Sequence, residues 1–148
     1  MKLMLVSTSG GHFSTMKNLK PFWSMHERVW ISDQKKDTES LIGHEKYYWL
    51  PYQAPRDYIA LIKNLPKVFY LVYKEKPKII ISTGASLGVG FALAAKLFNV
   101  PYIYVESISR SQQLSLTGKI VYFLCDRFYV QWPQLCEKYP KAIYQGVA

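Results

Sequence analysis

The sequence predicts an α/β protein built on a doubly wound parallel sheet. Short apolar runs alternate along the chain with stretches of helical hydrophobic spacing, the pattern of strands joined by crossover helices. Two of these runs, Leu3–Val6 and Ile79–Ile81, end in loops of small polar residues and glycine, as strands that deliver a loop to a ligand do. The 148 residues fit one domain without an internal repeat or a low-complexity linker.

The first half of the chain contributes three of the expected strands. They lie at Leu3–Val6, Arg28–Ser32 and Lys46–Leu50, where apolar and aromatic residues are bounded by polar residues or proline. Between the strands, the spacing predicts helices at Phe13–Lys20 and Thr38–Gly43. Pro21 is expected to end or kink the first helix, because proline lacks the N–H that a helix interior needs.

The longest helical pattern covers Arg56–Lys74, and Pro66 is expected to divide or kink it. One stripe is expected to cover the sheet: Tyr58, Leu61, Ile62, Leu65, Phe69 and Val72. A second set of apolar residues and lysines falls largely off this stripe: Ile59, Lys63, Lys67, Val68 and Leu71. This second set fits either a membrane or partner surface, or a helix buried on two sides, and both interpretations stay open.

The second half of the chain continues the alternation. Strands are predicted at Ile79–Ile81, Tyr102–Val105, Arg127–Gln131 and Ala142–Tyr144, and helices at Leu87–Phe98, Ile120–Cys125 and Trp132–Lys138. The unbroken apolar core of Ile79–Ile81 is typical of a strand buried on both faces. We therefore expect this strand near the centre of the sheet.

Two loops of small residues are the candidates for a binding site, Ser7–His12 and Ser82–Ser86. Glycine lets another molecule approach the backbone closely, and the free N–H groups at a helix start favour anionic or hydroxyl-bearing groups. The candidate binding residues are Ser9, Gly10, Gly11, Thr83 and Gly84. The loops meet in one crevice if their strands are neighbours across a switch point. His12 is then expected at the rim, as a proton acceptor.

Glu106 directly follows the predicted strand Tyr102–Val105. A carboxylate at the end of a buried strand needs solvent, a cation or hydrogen-bond donors. Glu106 is therefore a candidate for binding hydroxyl groups or for orienting His12. The alternative, an ordinary carboxylate near a helix start, stays open.

The composition narrows the choice of partners. A net charge of +9 and an aromatic content of 16% indicate an anionic partner: nucleic acid, an anionic bilayer or a phosphorylated substrate. The basic residues are spread along the chain, which counts against nucleic acid. No apolar stretch reaches the roughly 20 residues that span a bilayer, so membrane contact is expected to be peripheral. Cys125 and Cys136 lack metal-binding spacing and are expected to be reduced thiols, without a metal site.

Several segments together resemble a known family: Ser9–His12, Ser82–Gly84, Glu106–Ser107, Ser115–Lys119 and Cys125–Pro133. Over nearly the whole chain, the sequence resembles the acceptor-side, Alg-fourteen-like subunit of split GT-B glycosyltransferases. That family includes the membrane-bound subunit of the UDP-N-acetylglucosamine transferase of asparagine-linked glycan assembly. It also includes bacterial PssD-type and CpsF-type polysaccharide biosynthesis proteins. The first loop looks like the first glycine-rich loop of MurG-type transferases.

The resemblance implies the Rossmann-like N-terminal half of a GT-B glycosyltransferase, with residues 1–148 as a single acceptor-binding domain. A second polypeptide, an Alg-thirteen-like or PssE-type subunit, is implied to supply the C-terminal half and to hold most of the UDP-sugar. The implied acceptor is a polyprenyl diphosphate-linked sugar at an anionic membrane surface, and no bound cofactor is implied. With no anchor ahead of the first strand, the bacterial form fits better. We expect a cytoplasmic, peripheral protein at the inner face of the plasma membrane, active in capsule or exopolysaccharide assembly.

The implied reaction is an inverting transfer from the UDP-sugar to a hydroxyl group of the lipid-linked sugar. His12 is the expected general base, and Glu106 is the second candidate, as base or as the group that orients the acceptor hydroxyl. A non-catalytic activator, which brings a catalytic partner to the membrane, is the alternative, and a nucleic-acid binder ranks third.

Backbone and cationic groups are expected to hold the anionic part of the acceptor. The N–H groups of Gly10, Gly11 and Gly84 are expected to bind acceptor or diphosphate oxygens. Arg110 and Lys119 are expected to pair with the lipid diphosphate.

Overall fold

A computed structural model describes residues 1–54, 56–84 and 86–148; Ala85 of the predicted second loop lies outside them. Seven parallel strands form one sheet in the order β3-β2-β1-β4-β5-β6-β7. The strands are β1 (Lys2–Val6), β2 (Glu27–Ser32), β3 (Tyr47–Trp49), β4 (Ile79–Ser82), β5 (Tyr102–Val105), β6 (Arg127–Val130) and β7 (Ala142–Tyr144). The predicted doubly wound parallel sheet is confirmed.

Helices occupy the connections: α1 (Gly11–Asn18), α2 (Lys20–Trp23), α3 (Tyr58–Glu75), α4 (Leu87–Phe98), α5 (Leu116–Val121) and α6 (Leu135–Lys138), with a 3₁₀ turn at Thr38–Leu41. The first predicted helix breaks at Leu19, and Pro21 lies in the first turn of α2, where its missing N–H costs nothing. The predicted helix Ile120–Cys125 is wrong in position. α5 begins at Leu116 because the Ser115 side chain accepts the Gly118 N–H.

The two small-residue loops leave adjacent strands. Val6 at the end of β1 pairs with Ser82 at the end of β4, so the loops that follow these strands begin side by side. β2 and β3 lie on one side of this pair, and β5, β6 and β7 lie on the other. The strand order therefore reverses between β1 and β4, which is the switch point where doubly wound sheets bind ligands.

Helices cover the two faces of the sheet unequally. α3 and α4 pack on one face, over alternate strand residues such as Met4, Ile80 and Tyr102. On the other face, α1 and α2 cover β1 and β2 through a smaller cluster that includes Phe13 and Trp30. An apolar groove of about 290 Å³ runs beside this smaller cluster, along β5 and β6.

Helix α3 corrects the predicted division into faces. Val68 and Leu71, predicted on a membrane or partner surface, are each 1% exposed because α3 packs closely on α4. A Cβ on Gly90 of α4 would lie within 3.8 Å of side chains from Leu61, Leu65 and Val68. Ile59 is 68% exposed, as a surface residue would be, whereas Ile62, predicted to cover the sheet, is 64% exposed; the helix is therefore not buried on two sides. The helix runs through Pro66 without interruption.

A charge cluster closes the edge of the sheet where the strands begin. Glu75, 4% exposed at the end of α3, accepts hydrogen bonds from Lys2 at 2.8 Å and from Tyr48 at 2.7 Å, and it forms a salt bridge with Lys46 at 2.9 Å. Burial alone would raise the pKa of Glu75, but the hydrogen bonds from these three residues outweigh it and lower the pKa to about 2. Both cysteines are free thiols.

Candidate functional site

A polar cleft of about 470 Å³ opens at the carboxyl edge of the sheet. The loops after β1, β3, β4 and β5 line it, each contributing polar side chains. The lining includes Ser9, His12, Gln53, Arg56, Ser86, Glu106, Arg110 and Lys119. The structure thus brings together residues from distant parts of the chain, as the sequence predicted.

His12 is fixed at the rim by the second loop. Its Nδ1 lies 2.9 Å from the Thr83 carbonyl oxygen, and the Thr83 hydroxyl donates to the His12 carbonyl at 2.7 Å. Because a carbonyl oxygen only accepts, Nδ1 must carry the hydrogen, and in the neutral ring Nε2 is then the proton acceptor. The ring is thus held in the tautomer that a general base requires.

Gly84 provides the space that the His12 ring occupies. Its φ is +123°, and a Cβ at this position would lie 2.7 Å from Nδ1. Its N–H donates to the Ser82 hydroxyl at 3.3 Å. Thr83 is fully buried. The Thr83 hydroxyl and carbonyl and the Gly84 N–H are therefore used in hydrogen bonds within the protein, and the binding role predicted for Thr83 and Gly84 stays a prediction.

The first loop is also tied to the protein. Ser9 donates both its N–H and its hydroxyl to Asp33, at 2.7 and 2.9 Å, and the Gly10 N–H donates to Asp37 at 2.7 Å. The predicted use of the Gly10 N–H for substrate oxygens is not supported, because a carboxylate already occupies it. Gly11 begins α1 and is exposed.

Glu106 is 1% exposed, and both of its carboxylate oxygens are engaged. It accepts the Ser107 N–H and the Ser115 N–H, each at 2.9 Å, and the Ser115 hydroxyl at 2.9 Å. The Tyr104 hydroxyl lies 3.5 Å away. Burial and the charge of Glu106 raise the pKa of Tyr104, which keeps this hydroxyl protonated and able to donate. The orienting partner of His12 is therefore Thr83, and the geometry favours His12 over Glu106 as the proton acceptor.

Three cationic side chains, Arg56, Arg110 and Lys119, line the cleft, and all three are exposed. Among the described lining residues, Glu106 is the only carboxylate, and its oxygens point to protein donors. The open cleft is therefore electropositive and suits an anionic ligand.

Sequence reasoning missed the contribution of the loop after β3. Tyr52, Gln53 and Arg56 line the cleft, and Gln53 is joined to Asn64 of α3 and to Ser86 through hydrogen bonds of 3.2 and 2.9 Å. The loop could have been predicted to reach the cleft from its position after a strand, because all loops that follow strands in a parallel sheet lie at the same edge.

The described part of the chain holds neither a metal-binding cluster nor a membrane-spanning helix. No group of three or more histidine, cysteine or acidic residues with a metal-binding arrangement occurs among the described residues. Within the same part of the chain, no helix has the length and apolar character to cross a bilayer.

Residues 52–148 match the family described as "Oligosaccharide biosynthesis protein Alg14 like". The chain is similar to the UDP-N-acetylglucosamine transferase subunit ALG14 of Yarrowia lipolytica, with 35% identity over 99% of this chain and 80% of the relative. The corresponding subunit of Mus musculus is 44% identical over 99% of this chain and 82% of the relative. Among solved structures, MurG of Acinetobacter baumannii superposes with a TM-score of 0.77 at 14% identity, over 99% of this chain and 46% of MurG.

The sheet order and the cleft at its switch point define the chain as a Rossmann-like α/β domain, and its fold is shared with part of MurG. The chain spans slightly less than half the length of MurG. It belongs to the Alg14-like family of oligosaccharide biosynthesis proteins.

Proposed function

We propose that this chain is the acceptor-binding and membrane-recruiting subunit of a two-component inverting glycosyltransferase. The pair transfers a sugar from a UDP-sugar to a polyprenyl diphosphate-linked acceptor, and residues 1–148 act as one acceptor-binding domain. Family membership and the relatives named as UDP-N-acetylglucosamine transferase subunits support the reaction class. The observation that carries the proposal is His12, held with Nε2 as an acceptor at the rim of an electropositive cleft.

His12 acts as the general base. Its Nε2 takes the proton from the acceptor hydroxyl while that oxygen attacks the anomeric carbon of the donor sugar. The bond from the anomeric carbon to the diphosphate oxygen breaks on the opposite side, and UDP leaves with the electron pair. Thr83 and Gly84 contribute by keeping the ring in this tautomer and position.

The cations of the cleft bind the diphosphate of the acceptor. Arg110 and Lys119 come from the loop after β5 and from α5, and Arg56 faces the same cleft from the loop after β3. Charge-assisted hydrogen bonds from such groups favour a diphosphate over a neutral ligand. Arg56 is added to the two predicted cations because it lines the same cleft.

A partner subunit of the Alg13 type holds most of the UDP-sugar. The apolar groove along β5 and β6 supports a partner surface on the face that α1 and α2 leave open. It is lined by Leu19, Phe22, Ile103, Val105 and Tyr129, among others. An interface of this apolar kind suits a permanent complex.

The membrane surface lies on α3 and beside α5. Ile59 and Ile62 are exposed near Lys63 and Lys67, and Phe123 beyond the end of α5 is 80% exposed. Apolar side chains flanked by lysines fit an anionic bilayer surface. We propose peripheral attachment at the cytoplasmic side, next to the cleft that receives the lipid-linked acceptor.

The finer assignment is to a PssD-type or CpsF-type protein with a PssE-type partner, at the inner face of the plasma membrane in capsule or exopolysaccharide assembly. It rests on the motifs of the sequence, whereas the relatives reported above are eukaryotic subunits. An acceptor panel with undecaprenyl and dolichyl diphosphate sugars separates the two settings.

Reconstitution tests the proposed function. Transfer of radiolabelled sugar from a panel of UDP-sugars to these acceptors is measured with this chain alone, the partner alone and both together. We expect transfer in the mixture only. Full transfer by the partner alone would reduce this chain to a non-catalytic activator, and no transfer in any combination would contradict the proposal.

A further inference from the structure

The carboxylate of Glu106 joins both ends of one cleft loop. The Ser107 N–H at the start of residues 107–115 and the Ser115 N–H at their end each donate to it at 2.9 Å. Arg110 lies between these two anchors, and Lys119 follows in the first turns of α5. One buried carboxylate is therefore hydrogen-bonded to both ends of the loop that carries Arg110, and the second of these ends directly precedes the helix that carries Lys119.

Ser115 couples this carboxylate to helix α5. Its hydroxyl donates to Glu106 at 2.9 Å and accepts the Gly118 N–H at 2.9 Å, so one side chain caps the helix and holds the loop. Gly118 is buried, and a Cβ there would overlap the Glu106 carboxylate. The close approach of α5 to Glu106 thus requires glycine at this position.

The donors around Glu106 are uncharged. Two N–H groups, the Ser115 hydroxyl and the more distant Tyr104 hydroxyl face its oxygens, and no salt bridge to Glu106 occurs among the described residues. A group with two acceptor oxygens and no hydrogen matches this set of donors. Glutamine at this position would place an N–H₂ group against donors and lose one acceptor.

We propose that Glu106, Ser115 and Gly118 form a carboxylate latch that positions Arg110 and Lys119 for the diphosphate of the acceptor, and that Glu106 is a positioning residue. This inference rests on the proposed function, which assigns the diphosphate to these cations. It assigns new roles to Ser115 and Gly118, and it gives Glu106 a role other than that of base.

Two measurements test the latch. Hydrogen exchange of residues 107–115 is measured on the isolated full chain, and the KM for acceptor, kcat and the pH profile are measured on the assembled pair. For Ser115→Ala and Glu106→Gln, we expect exchange of this loop to rise about tenfold. The acceptor KM is expected to rise about tenfold, while kcat and the shape of the pH profile stay nearly unchanged.

Two variants on the same segment provide controls. Ser115→Thr keeps the hydroxyl and is expected to restore both slow exchange and the KM. Ser111→Ala removes a hydroxyl that makes no hydrogen bond to Glu106 and is expected to match the wild type. If Glu106→Gln fails to fold, the Ser115→Ala variant still tests the latch, because it removes a donor to the same carboxylate.

The outcomes separate the latch from the proposed function. Unchanged exchange in Ser115→Ala overturns the latch, whatever the activity. Faster exchange without a change in KM overturns the positioning role. If Glu106→Gln removes kcat and alters the pH profile while Ser115→Ala behaves as wild type, Glu106 is the base and the latch is wrong. Faster exchange in an assembly that never transfers sugar supports the latch as a structural device and contradicts the proposed function.

Discussion

The two edges of the sheet, where the strands begin and where they end, each contain a buried carboxylate. The groups that hydrogen-bond to the two carboxylates differ in charge. At the edge where the strands begin, Glu75 meets two lysines and a tyrosine hydroxyl. At the edge where the strands end, Glu106 meets only N–H and hydroxyl groups. The first charge is compensated by opposite charges, and the second is stabilised by dipoles alone.

This difference separates what holds the fold from what forms the site. Lys2 and Lys46 form salt bridges with Glu75 and are therefore not free to bind a ligand. The edge where the strands begin thus contributes to the stability of the fold. The cleft leaves its cations, Arg56, Arg110 and Lys119, exposed, because Glu106 obtains its hydrogen bonds elsewhere. We therefore expect substitutions at the cleft edge to affect transfer, and substitutions at the opposite edge to affect stability.

A substitution at the cleft edge is expected to change the rate of sugar transfer most. His12→Ala removes the proton acceptor, and transfer by the assembled pair is expected to fall by about 100-fold or more. The free energy of unfolding of the chain is expected to change little, because His12 is only partly buried. His44→Ala, an exposed histidine that precedes β3 at the opposite edge, is the matched control. Full turnover by His12→Ala would remove the assignment of the base.

At the opposite edge of the sheet, a substitution is expected to lower stability and to leave sugar transfer unchanged. Glu75→Gln removes a charge whose pKa of about 2, against 4.5 for the free group, corresponds to about 3 kcal/mol of stability. Urea denaturation is expected to show a loss of this size, with unchanged transfer per folded complex. Glu39→Gln, at an exposed glutamate, is expected to stay within about 0.5 kcal/mol of the wild type. A normal urea midpoint for Glu75→Gln would contradict the stabilising role assigned to Glu75.

The third prediction concerns membrane binding along α3. The double variant Ile59→Ser and Ile62→Ser acts at the cleft end of the helix, and it is expected to weaken binding to anionic vesicles about thirtyfold, or about 2 kcal/mol. Tyr73→Ser with Leu97→Ser removes equally exposed side chains at the far edge and is expected to bind as wild type. If both double variants lost vesicle binding equally in a sedimentation assay, the membrane surface would not be confined to the cleft end of α3.

The smallest expected effect is the acid dependence of the Glu75 cluster. Because its pKa is lowered from 4.5 to about 2, the contribution of Glu75 is complete above pH 4.5 and is lost as the pH falls towards 2. At pH 3.5 the wild type is expected to have lost about 1 kcal/mol of it. The difference in unfolding free energy between wild type and Glu75→Gln is therefore expected to shrink by that amount, as measured by urea denaturation at pH 7 and pH 3.5. A constant difference would contradict the pKa assigned to Glu75.

The periodicity of the sequence was sufficient to predict the fold, but it did not predict how distant elements pack against each other. The alternation of apolar runs with helical spacing predicted all seven strands to within a few residues at their ends. It failed on α3, where Val68 and Leu71 are buried. The buried face of α3 packs near Gly90 of α4. The spacing of apolar residues along one helix does not show which other element covers them. The predicted division of this helix at Pro66 is wrong, because the exposed position of Pro66 tolerates a missing hydrogen bond.

For the site, the sequence identified the loops but not how their groups are used. The order of strands brings Ser9, His12, Glu106, Arg110 and Lys119 to one cleft, as expected. The carboxylates that occupy the first loop come from residues after β2, and no local pattern connects Asp33 to Ser9 or Asp37 to Gly10. Such pairings depend on side-chain geometry across the sheet.

The position of β4 has a consequence for biosynthesis. β1 is buried in the centre of the sheet, yet its second neighbour, β4, begins only at Ile79, after β2, β3 and the long helix α3 have been made. Until β4 has been synthesised, β2 is the one sheet neighbour available to β1, which has apolar residues on both faces. An open apolar strand in a nascent chain is a site for mispairing and for chaperone binding. Synthesis of β4 is therefore the step that supplies the second neighbour of β1, to which β5, β6 and β7 can then be added in chain order.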